Sequence, residues 1–224
     1  MLVKDRMTAK PFIIAPDTSV AEALSLMRQN NVRRLPVVDK KGNLVGIVSE
    51  KDLLYASPSP ATSLSVYEIG YLLSKLKVEE IMTRKVITIT PSAPLEEAAR
   101  VMVDNKIGGL PVVENDRLVG IITETDVFKT TLEMLGAREP GVRMTITVRD
   151  EPGALSRITG SIASNGGDII ALGTFYGENR GDGILMIRAC GIEEQRLLQL
   201  MQELGVHVRD IRTIGDTAAC GCTE

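Results

Sequence analysis

Two carboxylates stand in the same setting at two places in the chain. Asp52 closes Ser49-Glu50-Lys51-Asp52 and Asp126 closes Thr123-Glu124-Thr125-Asp126. A hydroxyl followed three residues later by an acid starts helices: the hydroxyl accepts an orphan backbone N–H, and the acid is favourable in the first turn. The same residues have a second use. A carboxylate accepts two hydrogen bonds from vicinal hydroxyls such as those of a ribose, and Ser49 or Thr123 can serve a phosphate or sugar oxygen. The spacing alone favours the cap. The duplicated surroundings favour the ribose.

Those surroundings are LPVVDKKGNLVGIVSEKD, Leu35 to Asp52, and LPVVENDRLVGIITETD, Leu110 to Asp126. Leu35 and Leu110 lie 75 positions apart, as do Met7 and Met82, while Gly46/Gly120 and Asp52/Asp126 are offset by 74. A fixed offset held this long is an internal repeat, its second loop one residue shorter. Each copy has an apolar strand after Pro, a polar turn, a second apolar strand and the helix start. Upstream, Lys10 to Ile14 and Val86 to Thr90 read as extended segments. Val20, Ala23, Leu24 and Met27, and then Leu95, Ala98, Ala99 and Met102, recur at helical spacing. The unit is β-α-β-β-α. Between the copies, a Pro/Ser loop leads to a helix with Val66, Ile69, Leu72, Leu73 and Leu76 on one face. That face packs on its own domain or forms a dimer contact.

The bulk composition narrows the function classes. The chain has 224 residues, 44% hydrophobic content and a net charge of -3. Residues 1–139 carry 18 basic and 18 acidic side chains and residues 140–224 carry 8 and 11. Neither half is a polycation, and three Phe, four Tyr and no Trp leave little for base stacking, so no nucleic-acid partner is expected. No apolar stretch approaches the roughly 18 residues of a membrane span, and MLVKDRMTAKP lacks a signal peptide's apolar segment. Cys190, Cys220 and Cys222 give no disulfide framework. A cytoplasmic protein without membrane partners is the expectation. No nucleophile–base pair is visible, so neither catalytic residues nor enzyme activity are expected. His207 lacks a partner, and Cys220-Gly221-Cys222 falls short of four zinc ligands, so no metal site is expected.

After Arg138-Glu139-Pro140-Gly141 the grammar changes. Val142, Met144, Ile146 and Val148 alternate as in a strand. A tight loop, Asp150-Glu151-Pro152-Gly153-Ala154-Leu155, runs into a helix that Asn165-Gly166-Gly167 stops. Strands Ile169 to Tyr176 and Gly183 to Cys190, a helix Ile192 to Leu204 and a strand Val206 to Ile214 follow. The order βαββαβ is the ferredoxin-like one.

Two copies of β-α-β-β-α, each with LPVV, G-[IV]-[IV]-[ST]-x-x-D and a leading Met-Thr, resemble a tandem pair of CBS domains, a Bateman module, over about residues 1–135. The resemblance implies a pseudo-twofold module whose two clefts bind AMP, ADP, ATP or S-adenosylmethionine. It implies ribose contacts from Asp52 and Asp126, helped by Ser49 and Thr123. It implies adenine walls from Thr8, Ile13 and Ile14 in one cleft and from Thr83, Ile87 and Ile89 in the other. Arg33-Arg34 precede the first LPVV where Gly108-Gly109 precede the second, and arginine forks onto phosphate where glycine offers only N–H groups and room. The two clefts are therefore expected to differ in affinity, with Lys10, Arg84, Lys85 and Lys106 as further cations near their mouths.

The D-E-P-G-A-L loop and the N-G-G-D-I segment resemble an ACT domain over about residues 140–215. Such domains pair side by side and bind amino acids at the seam. The implied ligand loop is Asp150, Pro152, Gly153, Ala154 and Leu155, with Asp168 and Ile169 on the other wall. Asp168 stands where that family commonly has Asn, which makes a purely dimerising role equally open. The whole order is similar to that of acetoin-utilisation CBS–ACT proteins. The expected fold is α/β (α+β): a first repeat at 1–55, a linker and bridging helix at 56–77, a second repeat at 78–137, an ACT domain at 140–216 and a flexible tail at 217–224. The expected protein is a homodimeric regulatory ligand sensor acting on an unknown partner protein. The alternative is a dimeric interaction module that binds no nucleotide.

Overall fold

The two repeats exchange their leading segments. The computed structural model describes residues 1–56, 65–177 and 181–215, in two units, Met1–Phe128 and Lys129–Glu224. The Pro/Ser loop at 57–64 and the tail with Cys220 and Cys222 lie outside the described residues, as does the side chain of Val66.

In the first unit a short strand β1 (Thr8–Ala9) precedes α1 (Val20–Gln29), β2 (Arg34–Val38), β3 (Leu44–Ser49) and α2 (Glu50–Tyr55). The bridging helix α3 (Val66–Lys75) leads to α4 (Leu95–Asn105), β4 (Gly109–Glu114), β5 (Arg117–Thr123) and the start of α5 (Glu124–Met134), which runs on into the second unit. Ser19 starts α1 with a full capping box, accepting from the Glu22 N–H while Glu22 accepts from the Ser19 N–H. β2 pairs with β3, and β4 with β5, in the same antiparallel register.

The exchange shows in what each core contains. Val20, Ala23, Leu24, Met27, Leu35, Val37, Val48 and Leu53 form the first core together with Val78 and Met82, which precede the second repeat. Leu95, Ala98, Met102, Leu110, Val112 and Ile122 form the second core together with Val3. β1 pairs with β5, Thr8 opposite Ile121, and Thr83 bridges to Ile47 on β3. Gly46 and Gly120 admit these visitors: a Cβ on Gly46 would collide with Met82 Sδ, and one on Gly120 would lie 2.6 Å from Met7 Sδ. Leu73 of α3 and Leu76 just after it pack on the first core, whereas Leu72 is 46% exposed.

The second unit is β6 (Gly141–Arg149), α6 (Ala154–Ser164), β7 (Asp168–Tyr176), β8 (Asp182–Cys190), α7 (Glu194–Glu203) and β9 (His207–Ile214), with sheet order β7-β8-β6-β9, antiparallel throughout. The alternation in β6 buries Val142, Met144 and Ile146 against Ile158, Ile162, Leu197, Leu200 and Met201 of the two helices. Gly153, at φ +87°, makes the turn into α6. Arg188 is buried in β8, where its Nη1 donates to the Glu139 carbonyl and its Nε has no partner among the described residues.

Candidate ligand-binding site

Asp52 divides its carboxylate between the fold and a cleft. Its Oδ2 accepts from the Ser49 N–H at 2.8 Å and from the Ser49 hydroxyl at 2.7 Å, while the Asp52 N–H donates back to Ser49 Oγ at 3.3 Å. Among the described residues no hydrogen bond engages Oδ1. Asp126 repeats the arrangement, its Oδ2 accepting from the Thr123 N–H at 2.8 Å and the Thr123 hydroxyl at 2.7 Å. Both acids thus cap helices. The hydroxyl protons of Ser49 and Thr123 are engaged in the caps, so neither is free to donate to a phosphate.

The space beside Asp52 is open. A cavity of ≈ 500 Å³ is lined by Asp52, Ser49, Arg33 and Arg34 of the first repeat and by Thr83, Ile87, Lys85 and Lys106 of the second, among others. It is large enough for a small organic ligand. Because Thr83 is bridged to β3, the wall facing Asp52 comes from the second repeat's leading segment. The first repeat's own Thr8 sits on β5, beside the strand that ends at Thr123. Each leading segment therefore serves the opposite repeat.

Two of the expected wall residues are placed differently. Ile14 and Ile89 are core side chains, bridged in parallel to Val37 and Val112, and are not available to a ligand. Ile13 is about half exposed and follows Thr8 on the leading segment that serves the other half. The sequence reading had no place for Ile47, Ile107, Val86, Pro111 and Lys51, which do. Strand alternation marks Ile47, neighbour of buried Val48, as facing the other way.

Arg34 and the glycines are complementary. A Cβ on Gly108 would collide with the Arg34 guanidinium and lie 2.9 Å from Glu124 Oε2, so Arg34 and Glu124 converge on the room that glycine leaves. Burial pulls the Arg34 pKa below its ordinary value; Glu124 opposes this, and the neighbouring charge of Arg33 adds to it. Five cationic side chains, Arg33, Arg34, Lys51, Lys85 and Lys106, face the cavity against two acids, Glu50 and Asp52.

In the second unit the expected two-walled site is not formed within one chain. The Asp150-to-Leu155 loop borders a cavity of ≈ 710 Å³ whose far side is Thr174, Phe175 and Tyr176. Asp168 pairs with Cys190, whereas Arg149, just before the loop, pairs with Asp182 at the other end of β8. The eight steps from Asp182 to Cys190 span about 26 Å, so Asp168 and Ile169 lie far from the loop. Among the described residues no cluster of His, Cys, Asp and Glu is arranged to hold a metal ion, and no helix is long and apolar enough to cross a membrane.

Comparison with known proteins matches the CBS domain at residues 3–59 and again at 78–133. The chain belongs to the CBS-domain family. Residues 140–212 match the TTHA0829-like ACT domain, so this CBS protein carries an ACT domain as its second unit. A CBS domain-containing protein of Dictyostelium discoideum is 37% identical over 136 residues, 60% of this chain and 94% of that protein. The crystal structure of a Vibrio cholerae protein assigned to acetoin utilization (AcuB) superposes with a TM-score of 0.51 at 35% identity, covering 62% of this chain and 96% of that one. The Arabidopsis thaliana CBS protein CBSX2, solved in complex with AMP, is 36% identical over 58% of this chain and 96% of its own, with a TM-score of 0.48.

Proposed function

We propose that this CBS–ACT protein is a non-catalytic, cytoplasmic regulator that binds an adenosine-containing ligand in the cleft beside Asp52. The observation that carries the reading is Asp52, its Oδ1 without a hydrogen bond among the described residues, in the wall of a cavity of ≈ 500 Å³ that apolar Ile47 and Ile87 also line. A nucleoside needs an apolar surface for its base and an acceptor for its vicinal hydroxyls, and Ile47 and Ile87 with Asp52 support that reading. Asp52 is the ribose acceptor in this reading, and Ile87 and Thr83 flank the base. Asp126 and Thr8 make the matching pair of the other half.

A thermal-shift series with AMP, ADP, ATP and S-adenosylmethionine tests it. A ligand that binds only the folded state raises the unfolding midpoint with concentration, and at 100 times its Kd it adds about 2.7 kcal/mol. Absence of any shift with all four ligands removes the reading.

The second reading, a dimeric module that engages another protein, is favoured by exposed apolar side chains on short helices. Tyr55 is 79% exposed and Phe128 65%. Amino-acid binding at the Asp150-to-Leu155 loop would need a second chain to supply the other wall, and belongs with this dimeric reading.

A further inference from the structure

Matched by the repeat offset, the residues lining the cleft beside Asp52 carry more positive charge than their equivalents in the other half. The repeat offset sets Thr125 opposite Lys51 and Asn31 opposite Lys106, while Lys10 matches Lys85. Two lysines are thus peculiar to the Asp52 cleft. Lys106 also stands in an unfavourable backbone setting. It has φ +54° just after α4, and Asn31 holds φ +51° just after α1. Asn tolerates the left-handed region well and Lys poorly. The second repeat keeps a strained lysine where the first has the comfortable residue, and that lysine lines the cavity. Lys51 lines the same cavity, its ammonium 5.4 Å from the Tyr55 ring centroid. With Arg33, Arg34 and Lys85 added, five cations line the cleft, offset by Glu50 and Asp52 in its wall and by Glu124 beside Arg34.

We propose that Lys51 and Lys106 make the Asp52 cleft a phosphate reader, which selects adenosine ligands by their negative charge and rejects the cationic sulfonium of S-adenosylmethionine. This rests on the adenosine reading above and names the chemical class within it. A phosphorylated nucleotide relieves the crowding of cations, most for a di- or triphosphate. A neutral adenosine thioether gains nothing from it, and a ligand of net positive charge is repelled. Two exposed lysines on a flexible phosphate chain account for about a tenfold change in affinity. The electrostatic part is screened as salt rises.

The test is calorimetry on the whole chain and on the double variant Lys51→Thr/Lys106→Asn, with ATP, AMP, 5′-methylthioadenosine and S-adenosylmethionine at two salt concentrations. The native chain is expected to bind ATP at least about tenfold more tightly than S-adenosylmethionine, and to lose that preference as salt screens the cleft. The variant is expected to lose about tenfold in ATP affinity, with 5′-methylthioadenosine affinity unchanged and the unfolding midpoint equal or higher. Retained 5′-methylthioadenosine binding shows that the variant is folded. If native protein binds S-adenosylmethionine as tightly as ATP, or the variant keeps full ATP affinity, the phosphate reading is wrong and the adenosine site stands. If native protein binds none of the four ligands, both fall together.

Discussion

Asp52 has two oxygens with different surroundings, and that division makes its two roles separable. Oδ2 closes the capping box with Ser49, Oδ1 makes no hydrogen bond among the described residues, and the side chain lines the cleft. Asp52→Asn keeps one carbonyl oxygen for the cap and loses the charge and the second acceptor. It is expected to change folding stability by less than about 1 kcal/mol. The same change is expected to weaken adenosine-ligand affinity by roughly tenfold to a hundredfold, the loss of hydrogen bonds to a charged acceptor. Urea titration alongside ligand titration checks this. A variant that loses stability and keeps its ligand response would make Asp52 a cap alone. The sequence exposed this residue because a duplicated acid with a duplicated hydroxyl is visible in one dimension. It could not show which oxygen stays free, nor that Ser49 consumes its own proton in the cap, because both depend on the turn of α2.

Among the elements, the exchanged leading segments were the least legible part. Offset and periodicity place strands and helices within each copy, yet carry no signal for which copy receives a lead-in. The glycines hold that information only once the coordinates show what they face. Gly120 would carry a Cβ 3.0 Å from the Thr8 carbonyl oxygen as well as 2.6 Å from Met7 Sδ. Gly120→Ala is expected to push β1 off β5 and to cost about 1–3 kcal/mol, as overpacking does, read as a lower denaturation midpoint. An unchanged midpoint would mean that the lead-in is not held there. The caps make a second element-scale prediction. Bonds from the Ser19 backbone N–H and then its hydroxyl hold the Glu22 carboxyl below its ordinary 4.5. A carboxyl depressed in the folded state stabilises the fold above its unfolded pKa, and that contribution vanishes as pH falls through the folded value. Glu22→Gln should therefore lose less stability on acidification below pH 4.5 than the native chain does. Parallel acid-unfolding curves would contradict it.

For the whole molecule, the question is which surface a second copy would meet if the chain pairs through its ACT domain. The ferredoxin-like order of the second unit was legible from its alternation, but its edges were not, because sheet order is a property of three dimensions. Among the described residues β7 and β9 flank the sheet. β9 carries Arg209, Asp210 and Arg212, with Asp210 bound to both Arg143 and Arg212. Charged side chains along an edge discourage a further strand. β7 carries Thr174, Phe175 and Tyr176 instead, with Phe175 half exposed and Tyr176 fully so. An edge with backbone groups unpaired and aromatic side chains beside them is the one that would accept a partner strand, and it also borders the Asp150-to-Leu155 loop. The native chain is therefore expected to sediment as a dimer. Phe175→Lys should convert it to a monomer while leaving the unit folded, since residue 175 lies outside the packed core. A native monomer, or a Phe175→Lys dimer of undiminished affinity, would place the homodimer contact elsewhere or nowhere.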